Sequence, residues 1–177
     1  FYSGGNMNNP EQIGYSFFSN FYSDLGMTVS HSNQNNLISC LLFNSSLCII
    51  GICFTLLFFS VKNTFTSYKK ISLIATIFGV FGSFCYIGVA FTPSNLYLEY
   101  HTFFAHWIFR SLFISSILYA FLIINTQGFE NKYAYGFIVF GIMVLFYVLY
   151  SELFLNDPRL FPESLYKHVI AQKMIVF

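Results

Sequence analysis

The chain has 177 residues, of which 56% are hydrophobic, 22% aromatic and only 8% charged, with a net charge of +1. A soluble domain carries about 25% charged residues, so a water-soluble fold is excluded for most of the length. The near-neutral charge also excludes nucleic acid as a partner, because phosphate binding needs a basic patch.

The few charges lie between long uncharged stretches. Residues 36–61, 71–98 and 133–151 contain no Asp, Glu, Lys or Arg, and residues 100–129 carry a single formal charge, Arg110. About 20 mainly apolar residues cross a bilayer as a helix. The pattern predicts an all-α fold, a polytopic transmembrane helix bundle.

In chain order, residues 1–35 are polar and turn-rich, with Gly4-Gly5, Asn8-Asn9-Pro10 and the run Ser30 to Asn35. Within them Phe17, Phe18, Phe21, Tyr22 and Leu25 recur at helical spacing, which predicts a short interfacial helix over Tyr15 to Leu25. His31 is expected to be solvated. Spans are predicted at about 36–61, 71–92, 101–125 and 133–155, the second closed by Pro93. Asn156-Asp157-Pro158 breaks the chain, and Pro162-Glu163-Ser164 opens a truncated fifth helix over 163–177. The apolar run His168 to Phe177 is too short to span, so a longer chain with six spans is expected.

Lys62, Lys69, Lys70 and Lys132 lie in the loops 62–70 and 126–132, against Arg159 and Lys167 on the opposite side. Basic residues in short loops mark the cytoplasmic face. Residues 1–35 are therefore expected outside or in a lumen. Ser72, Thr76, Gly79 and Ser83 share a face of the second span and predict close helix packing. Cys40, Cys48, Cys53 and Cys85 lie in spans and read as small apolar side chains.

The ionisable residues in or beside the spans are His101, His106, Arg110, Glu152, His168 and Lys173, all assigned to the half nearest residues 1–35. Charges at membrane depth seek a partner or an aqueous cavity. His106 and Arg110 are four apart on one face, and depth counting brings Arg110 level with Glu152 and Lys173. These four define either a structural clamp or a polar pocket for a headgroup, carboxylate or ion. No metal site is expected: His101 and His106 are not spaced i, i+4, and there is no HExxH. Ser16, Ser19 and Ser23 beside Asp24 give only a weak hint of a hydrolase.

The segment Gly14 to Gly26, with Ser23-Asp24-Leu25-Gly26, resembles the small multi-pass membrane proteins grouped as domain of unknown function 998. Phe1 to Gly5, the Pro93 turn and the His101…His106 stretch are also similar. More distantly the layout is similar to Frag1/DRAM/Sfk1 proteins. The resemblance implies six helices, with lipid handling or membrane regulation in the distant group. By position it singles out Ser23, Asp24 and Gly26.

The leading expectation is a lipid-interacting or accessory membrane protein with an outward-facing polar pocket, no cofactor, and lipids or membrane subunits as partners. The alternatives are a membrane-embedded enzyme acting on a lipid or lipid-linked substrate, with Asp24, His101, His106 and His168 near the chemistry, and a small-solute or proton transporter.

Overall fold

The computed structural model describes residues 1–176. Five α-helices follow one another: α1 (Leu37–Val61), α2 (Lys69–Phe91), α3 (Leu98–Ile124), α4 (Asn131–Leu153) and α5 (Leu165–Val176). Single 3-10 turns occupy Tyr22–Gly26, Thr66–Tyr68 and Pro162–Ser164. The β structure among the described residues is one isolated bridge, Val29 to Asn35. Helices α1 to α4, with mean hydropathy of 1.9–2.2 over their most apolar stretches, are long and apolar enough to cross a membrane. The protein is a multi-pass helical membrane protein.

Helices α2, α3 and α4 start two or three residues earlier than the sequence predicts. Lys69 and Lys70 lie inside the first turn of α2, where a long stem lets the ammonium reach water while the backbone stays helical. α3 begins at Leu98 because the Pro93 carbonyl accepts the backbone N–H groups of Leu96 and Tyr97, both at 2.9 Å, and turns the chain tightly.

Neighbours in sequence are neighbours in space: α1 packs on α2, α2 on α3, and α3 on α4. The central pair is 44% buried along its most apolar stretch, against 22% for α1 and 17% for α4, so the two outer helices mostly face lipid. Small residues set the spacing. A Cβ on Gly51 would stand 2.7 Å from the Ser83 carbonyl, and one on Gly79 would meet the Phe58 ring at 2.6 Å. Buried hydroxyls finish the contacts: Thr76 meets the Tyr119 hydroxyl at 3.0 Å, and Ser115 donates to the Ala75 carbonyl at 3.0 Å. One apolar cluster, around Phe58, Phe65, Tyr119 and Leu122, fills the end near the lysine-bearing loops.

Residues 1–36 form a folded roof over the other end of the bundle. The interfacial helix predicted over Tyr15 to Leu25 does not form as one element; a turn precedes the 3-10 segment Tyr22–Gly26. Side chains take the backbone groups a helix would use. Asn20 Oδ1 accepts the Ser16 N–H at 3.0 Å, and Asp24 Oδ2 accepts the Phe21 N–H at 3.0 Å.

Candidate functional site

The roof is organised by a buried asparagine. Asn20 is 0% exposed. Its Nδ2 donates to the Gly5 carbonyl at 2.8 Å and to Asp24 Oδ2 at 2.9 Å; its Oδ1 accepts from Gln12 Nε2 at 2.8 Å and from Ser16. These four bonds use the full capacity of an amide side chain. Gly5 is needed beneath it: its φ is +81°, and a Cβ there would stand 2.5 Å from the Ser32 nitrogen. The Tyr2 hydroxyl donates to the same Gly5 carbonyl at 3.1 Å. Burial and then the Asp24 charge push the Tyr2 phenol up to about 12, so it stays a neutral donor.

Asp24 is buried, with His31 Nε2 at 3.4 Å from its Oδ1. His31 is thus not merely solvated; it sits 21% exposed beside the carboxylate. Gly26 lies flat against α1, where a Cβ would be 2.7 Å from Asn44 Oδ1 and 2.8 Å from the Phe43 ring. Ser23, the remaining residue of the motif, is half-buried on the same turn.

Several bonds tie the roof to the helices. Asn36 Nδ2 donates to the Met27 carbonyl at 2.9 Å, and Ser39 Oγ donates to the Leu25 carbonyl at 3.0 Å, fixing the start of α1. Asn95, in the α2–α3 turn, accepts from Thr28 N at 3.1 Å. Lys173 on α5 is 3% exposed and donates to the Phe17 carbonyl. Its ammonium lies 4.3 Å from the Phe17 ring centroid, 4.7 Å from Tyr15 and 5.1 Å from Tyr22. Lys173 is therefore part of the roof anchor.

Arg110 on α3 donates to Glu152 in the last turn of α4. Their side chains are 34% and 42% exposed, and Trp107 stacks beneath the guanidinium at 5.9 Å. His106, one turn from Arg110, is exposed. The other two histidines each bond a backbone carbonyl. His101 Nδ1 lies 2.7 Å from the Thr92 oxygen and closes the end of α2; His168 Nε2 lies 2.9 Å from the Asn156 oxygen. Beside it, Arg159 hydrogen bonds hold the Asp157 carboxyl down to about 2. Among the described residues no three His, Cys, Asp or Glu side chains converge as a metal site.

A sizeable cavity lies elsewhere. Because α1 and α4 flank the layer, a cleft of about 630 Å³ opens between them, floored by α3. Its walls include Phe54 and Leu57 of α1, Ser116 and Tyr119 of α3, and Phe137 and Phe140 of α4. None of His106, Arg110, Glu152 and Lys173 lines it. Sequence reasoning missed the cleft, and it missed Asn20, Gln12 and Asn36 in the roof. The one available signal for the roof was Gly4-Gly5 ahead of so many amide side chains.

No family model, curated protein or solved structure matches this chain.

Proposed function

We propose that the protein is a lipid-interacting membrane protein whose α1–α4 cleft holds an acyl chain, with residues 1–36 outside or in a lumen and the lysine-bearing loops in the cytoplasm. The cleft carries this reading. Its volume of about 630 Å³ falls within the range of small-molecule sites, and its lining is aromatic and aliphatic with two serine hydroxyls. A chain inside the cleft would cover rings that otherwise border a void. The likeness of Ser23, Asp24 and Gly26 to the domain of unknown function 998 proteins is part of the same proposal.

The test is the lipid retained by the protein purified in mild detergent and weighed intact. Leu57→Trp with Phe140→Trp should narrow the cleft and reduce retained lipid severalfold. Leu41→Trp, on the lipid-facing surface of α1, should leave it unchanged. Equal retention in all three proteins would refute the reading.

A second reading, as an accessory subunit, draws on Arg110 and Glu152. A half-exposed ion pair within the spans gains from a protein partner that covers it. Loss of a co-purifying membrane subunit on Arg110→Leu with Glu152→Leu, with lipid retention intact, would favour this reading over the first.

A further inference from the structure

The lysine-bearing end of the bundle holds a second pocket, separate from the cleft in its chemistry. It has a volume of about 440 Å³ and is lined by Lys62, Asn63, Phe65, Thr66, Lys69 and Leu73. Lys62 caps the end of α1 and Lys69 opens α2. The two stay together because the buried Ser72 hydroxyl donates to the Lys62 carbonyl at 2.6 Å.

The charge at this end is unbalanced. Of the chain's carboxylates, Glu130 alone lies in a loop at this end, and it pairs with Lys132 at 2.7 Å. Glu11, Asp24, Glu99, Glu152, Asp157 and Glu163 belong to the roof end. Lys62, Lys69 and Lys70 thus stand at this end of the spans with no carboxylate paired to them among the described residues. Directly below, Lys69, Leu73, Ile77 and Phe81 are spaced four apart and all exposed, so they form one stripe down α2. At about 1.5 Å per residue the stripe runs roughly 18 Å into the membrane.

We propose that this pocket binds an anionic phospholipid, with Lys62 and Lys69 on the phosphate and one acyl chain laid along Leu73, Ile77 and Phe81. The Asn63 amide and the Thr66 hydroxyl line the same pocket and supply neutral donors for the headgroup oxygens. The cations select the charge, and the stripe selects a lipid over a free anion.

The test uses the full chain purified in detergent, with phosphatidylglycerol, phosphatidylcholine of the same acyl chains, and inorganic phosphate as separate titrants. Binding is read by native mass spectrometry and by the midpoint of thermal unfolding. Phosphatidylglycerol should bind and raise the midpoint more than phosphatidylcholine does. Lys62→Gln with Lys69→Gln should weaken it about twenty-five-fold, at roughly fivefold per lysine. Lys62→Arg with Lys69→Arg should retain binding, which separates lost charge from lost folding, and Lys132→Gln should change little. Equal binding of the two lipids, unchanged binding in the glutamine variant, or the same midpoint shift with inorganic phosphate alone would each overturn the proposal. The excess of phosphatidylglycerol over phosphatidylcholine, and its loss in the glutamine variant, is independent of the α1–α4 cleft, whose lining holds no lysine or arginine.

Discussion

Asn20 donates to the Asp24 carboxylate at 2.9 Å in the interior of the roof, and both residues are buried. The bond joins the turn at 16–20 to the 3-10 segment, while the other amide proton holds the Gly5 carbonyl. Asn20→Leu keeps the volume and removes every polar partner at once. It strands the Ser16 N–H and takes one bond from the buried Asp24 carboxylate, each costing about 1–3 kcal/mol, while the Gly5 carbonyl keeps the Tyr2 hydroxyl. The expected result is fast amide exchange across residues 1–36, with α2 and α3 still protected. Unchanged exchange in the roof would show that Asn20 does not organise it.

Arg110 and Glu152 lend themselves to a double-mutant cycle. Arg110→Leu leaves a carboxylate at membrane depth without its cation, and Glu152→Leu does the converse. Each should cost about 1–3 kcal/mol, below the figure for fully buried pairs because both side chains are about a third or more exposed. Replacing both should cost less than the sum, since two matched apolar side chains suit a lipid-facing site. Unfolding in mixed micelles measures all three variants. Additive losses would mean that the two charges do not depend on each other.

Much of the bundle is legible in the sequence because absence of charge is a one-dimensional signal. The spans 36–61 and 133–155 are visible before any packing is considered. Arg110 and Glu152 are also legible as neighbours, since counting residues from the ends of antiparallel helices gives their depth. Depth does not give direction around the helix, and Lys173 shows the consequence. It shares the depth of the pair but points to Phe17, Tyr15 and Tyr22. Asn20 and Asn36 are illegible for another reason: a buried amide and a solvated one look the same in a polar segment, and only the chain's fold decides between them. The cleft depends on α1 and α4 standing at opposite flanks, which is a property of the layer and of no single residue.

Glycine positions separate close packing from mere presence in a span. Gly51→Ala forces a methyl against the Ser83 backbone carbonyl at 2.7 Å, which cannot move without shifting α2. Gly88→Ala drives one into the Phe104 ring at 2.6 Å. Each should cost about 1–3 kcal/mol as an overpacked contact. Gly136→Ala on α4 meets nothing within 4 Å and should be neutral or stabilising by up to about 1 kcal/mol through helix propensity. Thermal midpoints in one detergent rank the three. A Gly136→Ala loss as large as the others would place a neighbour on that face of α4.

Lys173 anchors α5 to the roof through a charge. Lys173→Met keeps the stem and removes the ammonium, which loses the bond to the Phe17 carbonyl and the attraction of three rings. The expected cost is roughly 1–3 kcal/mol, offset in part because a buried cation no longer has to be desolvated. The loss should be local: a protease should cut the roof faster, while the contacts between α2 and α3 persist. Lys173→Arg provides the contrast. A guanidinium keeps the charge but is larger and planar, so within a space shaped for an ammonium it should hold the roof less well than lysine and better than methionine. Equal cutting rates for wild type and Lys173→Met would mean that the other ties, the Asn36, Ser39 and Asn95 bonds and the Tyr22 N–H to Gln172 of α5, hold the roof without the Lys173 ammonium.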